Sequence, residues 1–124
     1  MNRAKGFWFV PGGRTFKSEN LDEALKRISK DELGVEITKD KVTPIGIYEH
    51  HYEKNFFNEP LFTTHYIVLA LKIKADVDFT SLTEHQHNEY KYVSKEELVN
   101  SPDVHQFTKS YFIPEPKNLF IKFQ

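Results

Sequence analysis

A glycine turn followed by a long amphipathic segment is the feature that most restricts the fold of this chain. The strand-like run at 7–10 stops at Pro11, after which two adjacent glycines require a turn. Apolar residues then recur at helical intervals, beginning after the capping residue Asn20 and stopping at Gly34. The sequence therefore predicts a strand, a glycine turn and a helix, in that order.

The predicted helix carries a carboxylate on its apolar face. Glu32 lies one turn beyond Ile28 and continues the stripe that begins at Leu21. Burial of an unpaired carboxylate is costly, so a metal ion, an arginine or solvent at a cleft edge would have to accompany it. The adjacent Asp31 keeps a second interpretation open, because neighbouring acids often form a solvated helix end with surface ion pairs.

Sequence patterns also predict elements after this helix. The chain length of 124 residues and the hydrophobic content of 39% suit one compact domain over residues 1–124. We expect strands at 43–52, 62–74 and 89–93, helices near 95–100 and within 103–112, and a strand-like apolar stretch at 119–123 in a C-terminal tail at 114–124.

Composition excludes several classes of function. Seventeen basic and eighteen acidic residues give a net charge of −1, so no global field attracts nucleic acid or an anionic membrane. Cysteine is absent, which excludes disulfides and cysteine ligands. No apolar run approaches the roughly 18 to 20 residues of a membrane-spanning helix. We therefore expect a cytoplasmic protein that binds phosphate locally, without nucleic-acid or membrane partners.

The turn and helix resemble the Nudix box, Gly-x5-Glu-x7-Arg-Glu-U-x-Glu-Glu-x-Gly-U, in which U is a bulky aliphatic residue. In the corresponding region at 13–35, Ile28 replaces the first glutamate, Ser29 replaces an aliphatic residue, and Asp31 stands in for a glutamate. The matching residues are Gly13, Glu19, Arg27, Glu32, Gly34 and Val35.

The resemblance narrows to the GDP-mannose mannosyl hydrolases of this superfamily. The segments at 6–14 and 62–69 carry it, and it continues in register through 86–90 and 103–112. It implies a Nudix-type α/β/α sandwich with a mixed sheet. Because the chain starts just ahead of the strand at 7–10, it also implies that the N-terminal strands of the family are missing. The sheet edge exposed by their loss would favour a homodimer.

The resemblance further implies magnesium-dependent hydrolysis of GDP-mannose or a related GDP-sugar, with manganese as a possible substitute. Water attacks the anomeric carbon with inversion and releases GDP. Ile28 stands where the Nudix box has a glutamate, and a site with fewer acidic ligands agrees with a single bound metal ion. The implied residues are Gly12, Glu32 and Gln86 for the metal, His87 as general base, Arg14 and Arg27 for the leaving group, and His50, Tyr66 and Arg14 for the substrate.

Alternative roles remain for these residues. Arg27 could instead form a structural pair with Glu23 or Asp31, and His50 and Tyr66 could be ordinary strand residues that face solvent or core. Without the resemblance, His85 and His87 could not be distinguished.

Alternative functions also remain. One is a pyrophosphohydrolase that attacks phosphorus in a nucleoside diphosphate derivative. Another is a truncated, inactive remnant that binds nucleotide-sugar weakly or serves as an interaction module.

Overall fold

The computed structural model describes residues 2–4, 7–52, 64–74 and 91–123. These ranges contain both strands and helices, which confirms the predicted α/β class. None of the helices within them combines the length and apolar character needed to cross a bilayer. The elements are β1 (Asn2–Ala4), β2 (Phe7–Phe9), α1 (Leu21–Leu33), a 3-10 turn (Lys39–Lys41), β3 (Val42–Tyr52), β4 (Thr64–Ile73), α2 (Lys95–Asn100), α3 (Gln106–Ser110) and β5 (Leu119–Lys122).

The long strand β3 is the centre of the larger sheet. The strand order is β4-β3-β5, and both neighbours run antiparallel to β3. β1 and β2 form a separate antiparallel pair. A mixed sheet was expected. Within the described ranges all paired strands are antiparallel, and the parallel pairing is one bridge between Trp8 and Val104.

Helix α1 begins and ends where the sequence predicts. The Asn20 side chain accepts a 2.8 Å hydrogen bond from the backbone N–H of Glu23, whose carboxylate accepts one from the Asn20 N–H. At the other end, Gly34 adopts φ 76° and donates its N–H to the Lys30 carbonyl. A side chain would be strained at that φ, so glycine suits the left-handed cap.

A small apolar core joins β2 to the C-terminal helices. Trp8, Leu98 and Val104 are buried together, with Val93, Val99 and Phe112 packed around them. Backbone hydrogen bonds hold the same junction, since Trp8 N–H donates to the Asp103 carbonyl at 2.7 Å and His105 N–H donates to the Trp8 carbonyl at 3.1 Å. β2 and the glycine turn that follows it are therefore attached to the segment between α2 and α3.

The remaining predictions have mixed outcomes. Strands β3 and β4, helix α2 and the strand in the tail agree with the patterns, while α3 is shorter than the helix expected within 103–112. Residues 91–93 are not a strand, so that part of the prediction at 89–93 is wrong, and 89–90 lie outside the described residues. β1 was not predicted.

We predict that Gly46→Ala disturbs the pairing of β5 with β3. A Cβ at Gly46 would lie 2.7 Å from the backbone carbonyl oxygen of Ile121, which the sheet holds in place. Overpacking of this kind typically lowers the free energy of unfolding by about 1–3 kcal/mol. Urea denaturation followed by Trp8 fluorescence measures the effect.

Gly12→Ala is the matched control, because a Cβ there has nothing within 4 Å. It should leave the denaturation midpoint close to that of the wild type. Equal midpoints for the two alanine variants would contradict the steric explanation.

Candidate active site

The glycine turn packs against one face of α1. A Cβ added at Gly13 would lie 3.0–3.3 Å from three side-chain carbons of Ile28, so the backbone approaches that side chain closely. Glu32 occupies the same helix face one turn later. Helical side chains lean towards the N-terminus of their helix, which for Glu32 is the direction of Ile28.

The two carboxylates at the end of α1 have different environments. Glu32 is only 2% exposed, whereas Asp31 is exposed. The interpretation as a solvated helix end therefore holds for Asp31 and is wrong for Glu32. The buried carboxylate and the carbonyl groups of the neighbouring turn are oxygen donors of the kind that magnesium prefers.

A charged pair ties the turn to α1. Arg27 Nε donates to Glu19 Oε2 at 2.7 Å, and Arg27 Nη2 donates to Glu19 Oε1 at 2.9 Å. The same Nη2 donates to the carbonyl oxygen of Arg14 at 2.6 Å. The guanidinium carbon lies 3.6 Å from the centroid of the Phe16 ring. The Arg27 side chain thus contacts three residues of the turn.

This pairing changes the interpretation of Arg27. Its hydrogen-bonded partner is Glu19 and not Glu23 or Asp31, although the charge of Asp31 also acts on Arg27. The pKa of Arg27 is raised, chiefly by its hydrogen bonds to Glu19. The geometry gives Arg27 a positioning role, and its predicted contact with the leaving group stays a prediction. The Arg14 side chain itself is exposed on the turn.

Ser29 has a structural role that the sequence patterns did not indicate. Its side chain is 3% exposed, and its hydroxyl accepts a 2.8 Å hydrogen bond from the backbone N–H of Ile37 while donating to the Lys26 carbonyl at 3.2 Å. The serine replaces an aliphatic residue of the Nudix box, and this departure was the available signal. It ties α1 to the connection that leads to β3.

His50 lies in an aromatic cluster on the buried face of β3. Its ring stacks on Phe107 at a centroid distance of 4.3 Å, and its Nε2 is 3.2 Å from the Tyr111 hydroxyl oxygen. Burial lowers the pKa of His50 to about 4, and the nearby His105 adds to the shift. The imidazole is therefore neutral at pH 7. The core-facing alternative is confirmed, and the predicted contact with substrate stays a prediction.

Of the other predicted site residues, the structure describes Tyr66 and Gly12 but not the remaining two. Tyr66 is half-buried on β4 directly opposite His50, so these two form a cross-strand pair. Gly12 is exposed at the turn and precedes Gly13, the glycine that packs against Ile28 of α1. The predicted metal ligand Gln86 and general base His87 lie outside the described residues.

Comparison with known proteins identifies the family. The chain matches the NUDIX domain over residues 2–115. It is also 38% identical over 88 residues to the low-salt glycan biosynthesis protein Agl8 of Haloferax volcanii, an alignment that covers 71% of this chain and 54% of that protein. The chain belongs to the Nudix family, as predicted. The aligned part of the chain spans about half the length of Agl8.

Membership of the Nudix family indicates what the glycine turn and α1 are for. Nudix enzymes are hydrolases that act on nucleotide-derived substrates and generally use divalent metal ions. The glycine turn and the helix bearing Glu32 are the part of this chain that carries the family motif. They form the candidate active site.

We predict that Glu19→Gln destabilises the protein in a pH-dependent manner. Hydrogen bonds from Arg27 and from the Phe16 N–H lower the pKa of Glu19 from 4.5 to about 2. Since the folded-state value is the lower one, the carboxylate contributes fully above about pH 4.5, and this contribution is lost as the pH falls towards 2.

Urea denaturation at pH 6 and pH 3 checks this expectation. The difference in unfolding free energy between wild type and Glu19→Gln should be larger at pH 6. Glu36→Gln, which removes an exposed carboxylate beyond the helix, is the control. A difference that does not depend on pH would contradict the assignment.

We predict that His50 makes the protein less stable in mild acid. The folded-state pKa of about 4 lies below the ordinary 6.5. Between these two pH values His50 is therefore protonated in the unfolded chain and neutral in the folded chain. The stabilising contribution of the neutral ring is therefore complete above pH 6.5 and is lost as the pH falls to 4.

Histidine NMR titration gives the direct test. The His50 ring should stay neutral down to about pH 4, and His50→Gln should flatten the decline of unfolding free energy between pH 6.5 and 4. Titration of the His50 resonance at its ordinary value would contradict burial as the cause.

Proposed function

We propose that this chain catalyses metal-dependent hydrolysis of GDP-mannose, or a related GDP-sugar, to GDP and free sugar. The observation that carries the proposal is the packing of Ile28 against Gly13, where a methyl group added to the glycine would lie 3.0–3.3 Å from the Ile28 side chain. The Nudix box pattern has a glutamate at this point, and here a hydrocarbon side chain fills the space beside the turn. One helical turn after Ile28, the same face of α1 retains a Nudix box carboxylate, that of Glu32.

The loss of one carboxylate favours chemistry at carbon. Attack at phosphorus in a Nudix site draws on a cluster of acids that binds several metal ions, and fewer acids hold fewer ions. Departure of GDP from the anomeric carbon needs stabilisation of the charge that grows on the diphosphate, which one metal ion and an arginine can provide. The arrangement around Ile28 therefore supports sugar release.

The similarity to Agl8 supports a nucleotide-sugar substrate. The name of that relative describes a glycan biosynthesis protein. Glycan synthesis consumes activated sugars, and a nucleotide-sugar is a nucleotide-derived substrate of the kind that the Nudix family binds. We therefore place nucleotide-sugars ahead of other nucleoside diphosphate derivatives, and the resemblance to the GDP-mannose mannosyl hydrolases favours GDP as the nucleotide.

The donor set of the site fits magnesium. The carboxylate of Glu32, the carbonyl oxygen of Gly12 and the amide oxygen of Gln86 are all oxygen donors, and they would hold one Mg²⁺ or, in its place, Mn²⁺. The bound ion would supply positive charge to the departing diphosphate.

The side chains of this chain perform the remaining steps. An imidazole nitrogen of His87 accepts a proton from water, and the water oxygen forms a bond to the anomeric carbon. The bond from that carbon to the diphosphate oxygen breaks, its electron pair leaves with GDP, and the configuration inverts. The guanidinium of Arg14 neutralises the phosphates. Arg27 holds the turn. We assign the sugar side to the cross-strand pair of Tyr66 and His50, of which the half-buried Tyr66 is the more accessible.

We predict that the 124-residue chain, given GDP-mannose and Mg²⁺ in ¹⁸O-labelled water, releases GDP and mannose labelled at the anomeric oxygen. Chelation should abolish turnover. Chromatography with mass spectrometry distinguishes the outcomes. GMP and mannose phosphate with label in a phosphate would replace the proposal with attack at phosphorus, and absence of turnover would favour a binding or interaction role.

We predict that His87→Gln lowers turnover by roughly 10²- to 10⁴-fold, the usual contribution of a general base. Metal affinity, measured by Mn²⁺ electron paramagnetic resonance, should remain near that of the wild type. His85→Gln is the matched control and should retain turnover. In contrast, Glu32→Gln should weaken Mn²⁺ binding by more than the roughly 10- to 100-fold caused by losing an outer-sphere partner. Unchanged Mn²⁺ binding in Glu32→Gln would contradict the ligand assignment.

A further inference from the structure

Three potential metal ligands meet on the sheet face opposite His50. Glu49 and His51 are two residues apart on β3 and therefore project to one face, while His50 between them is buried on the other. His65 on β4 is the direct cross-strand neighbour of His51. The register of the two strands thus places one carboxylate and two imidazoles side by side. We propose that the Glu49–His51–His65 cluster binds one late first-row divalent metal ion, with Zn²⁺ as its representative.

The distances between the ligand atoms suit this ion. Glu49 Oε2 lies 3.4 Å from His51 Nε2 and 3.4 Å from His65 Nε2. Zinc bonds of 2.0–2.1 Å in a tetrahedron place neighbouring ligand atoms about 3.3 Å apart. All three ligand atoms fall within 4.8 Å of one another. Rotation of the side chains, including opening of the stacked pair of imidazoles, would direct all three ligand atoms at one ion.

The strands hold the ligands on a regular scaffold. Glu49 and His51 lie on the central strand, which pairs with β4 on one side. On the other side, the Glu49 N–H donates to the Asn118 carbonyl at 2.8 Å. The imidazoles of His51 and His65 stack at a centroid distance of 4.0 Å and 13° between planes. The backbone therefore sets the position of the cluster, which favours binding without reordering of the chain.

The ligand types select the metal class. Imidazole nitrogen suits zinc, copper, iron and nickel, whereas magnesium takes oxygen ligands. The cluster therefore prefers a different metal ion from the oxygen donors proposed around Glu32, which suit magnesium. Three protein ligands also leave a coordination position open. Glu49 and His51 line a cleft of about 460 Å³ that Lys117 and Asn118 also border, so solvent can reach that position.

Isothermal titration of the full chain with Zn²⁺ tests the proposal. The Glu32→Gln background removes the carboxylate of the candidate active site, so that the titration reports on the cluster. We expect one saturable site in this background. Adding His65→Gln or Glu49→Gln should lower its affinity at least about tenfold, because loss of even an outer-sphere partner costs roughly 10- to 100-fold. His85→Gln is the matched histidine control and should leave the affinity unchanged.

Histidine NMR supplies a second measurement that also reports folding. Zn²⁺ should shift the ring resonances of His51 and His65 and leave the buried His50 ring unaffected, and an unchanged His50 signal shows that a variant is folded. Absence of saturable binding would overturn the proposal. Binding that survives His65→Gln with equal affinity, or that weakens in His85→Gln, would place the metal elsewhere and overturn it as well.

Discussion

The ion pair between Glu19 and Arg27 is the interaction on which the candidate site depends. Two parallel hydrogen bonds join the side chains, whose exposed fractions are only 13% for Glu19 and 27% for Arg27. Fork geometry of this kind adds direction to the attraction between the charges. Because Arg27 also binds the Arg14 carbonyl and packs on Phe16, the pair sets the path of the loop that contains the two glycines. That path brings the turn onto the helix face bearing Glu32.

Local signals in the sequence predicted the local structure well. Both ends of α1 could be located because each cap is specified within four residues, by Asn20 with Glu23 and by Gly34 with Lys30. The apolar periodicity likewise placed Glu32 on the buried face. These features depend on neighbouring residues along one helix, for which spacing in the chain determines distance in space.

Contacts between distant parts of the chain were harder to predict. Helical spacing suggested partners for Arg27 within α1, but its partner Glu19 lies eight residues away in the preceding loop. The hydrogen bond between His50 and Tyr111 spans 61 residues, and no pattern along β3 could indicate it. Gln86 was assigned by resemblance alone and lies outside the described residues. Sequence reasoning thus located the helix that carries Glu32 and left the rest of the candidate site to the family resemblance.

The bridge between Trp8 and Val104 has a consequence for biosynthesis. The glycine turn is anchored on one side by α1, which is complete early, and on the other by β2, whose backbone bonds reach Asp103 and His105. A ribosome must therefore translate most of the chain before the second anchor can close. Contacts across such a sequence separation form late because loop closure must precede them. The N-terminal part of the site is made first and becomes fixed only after residues 103–105 have been translated.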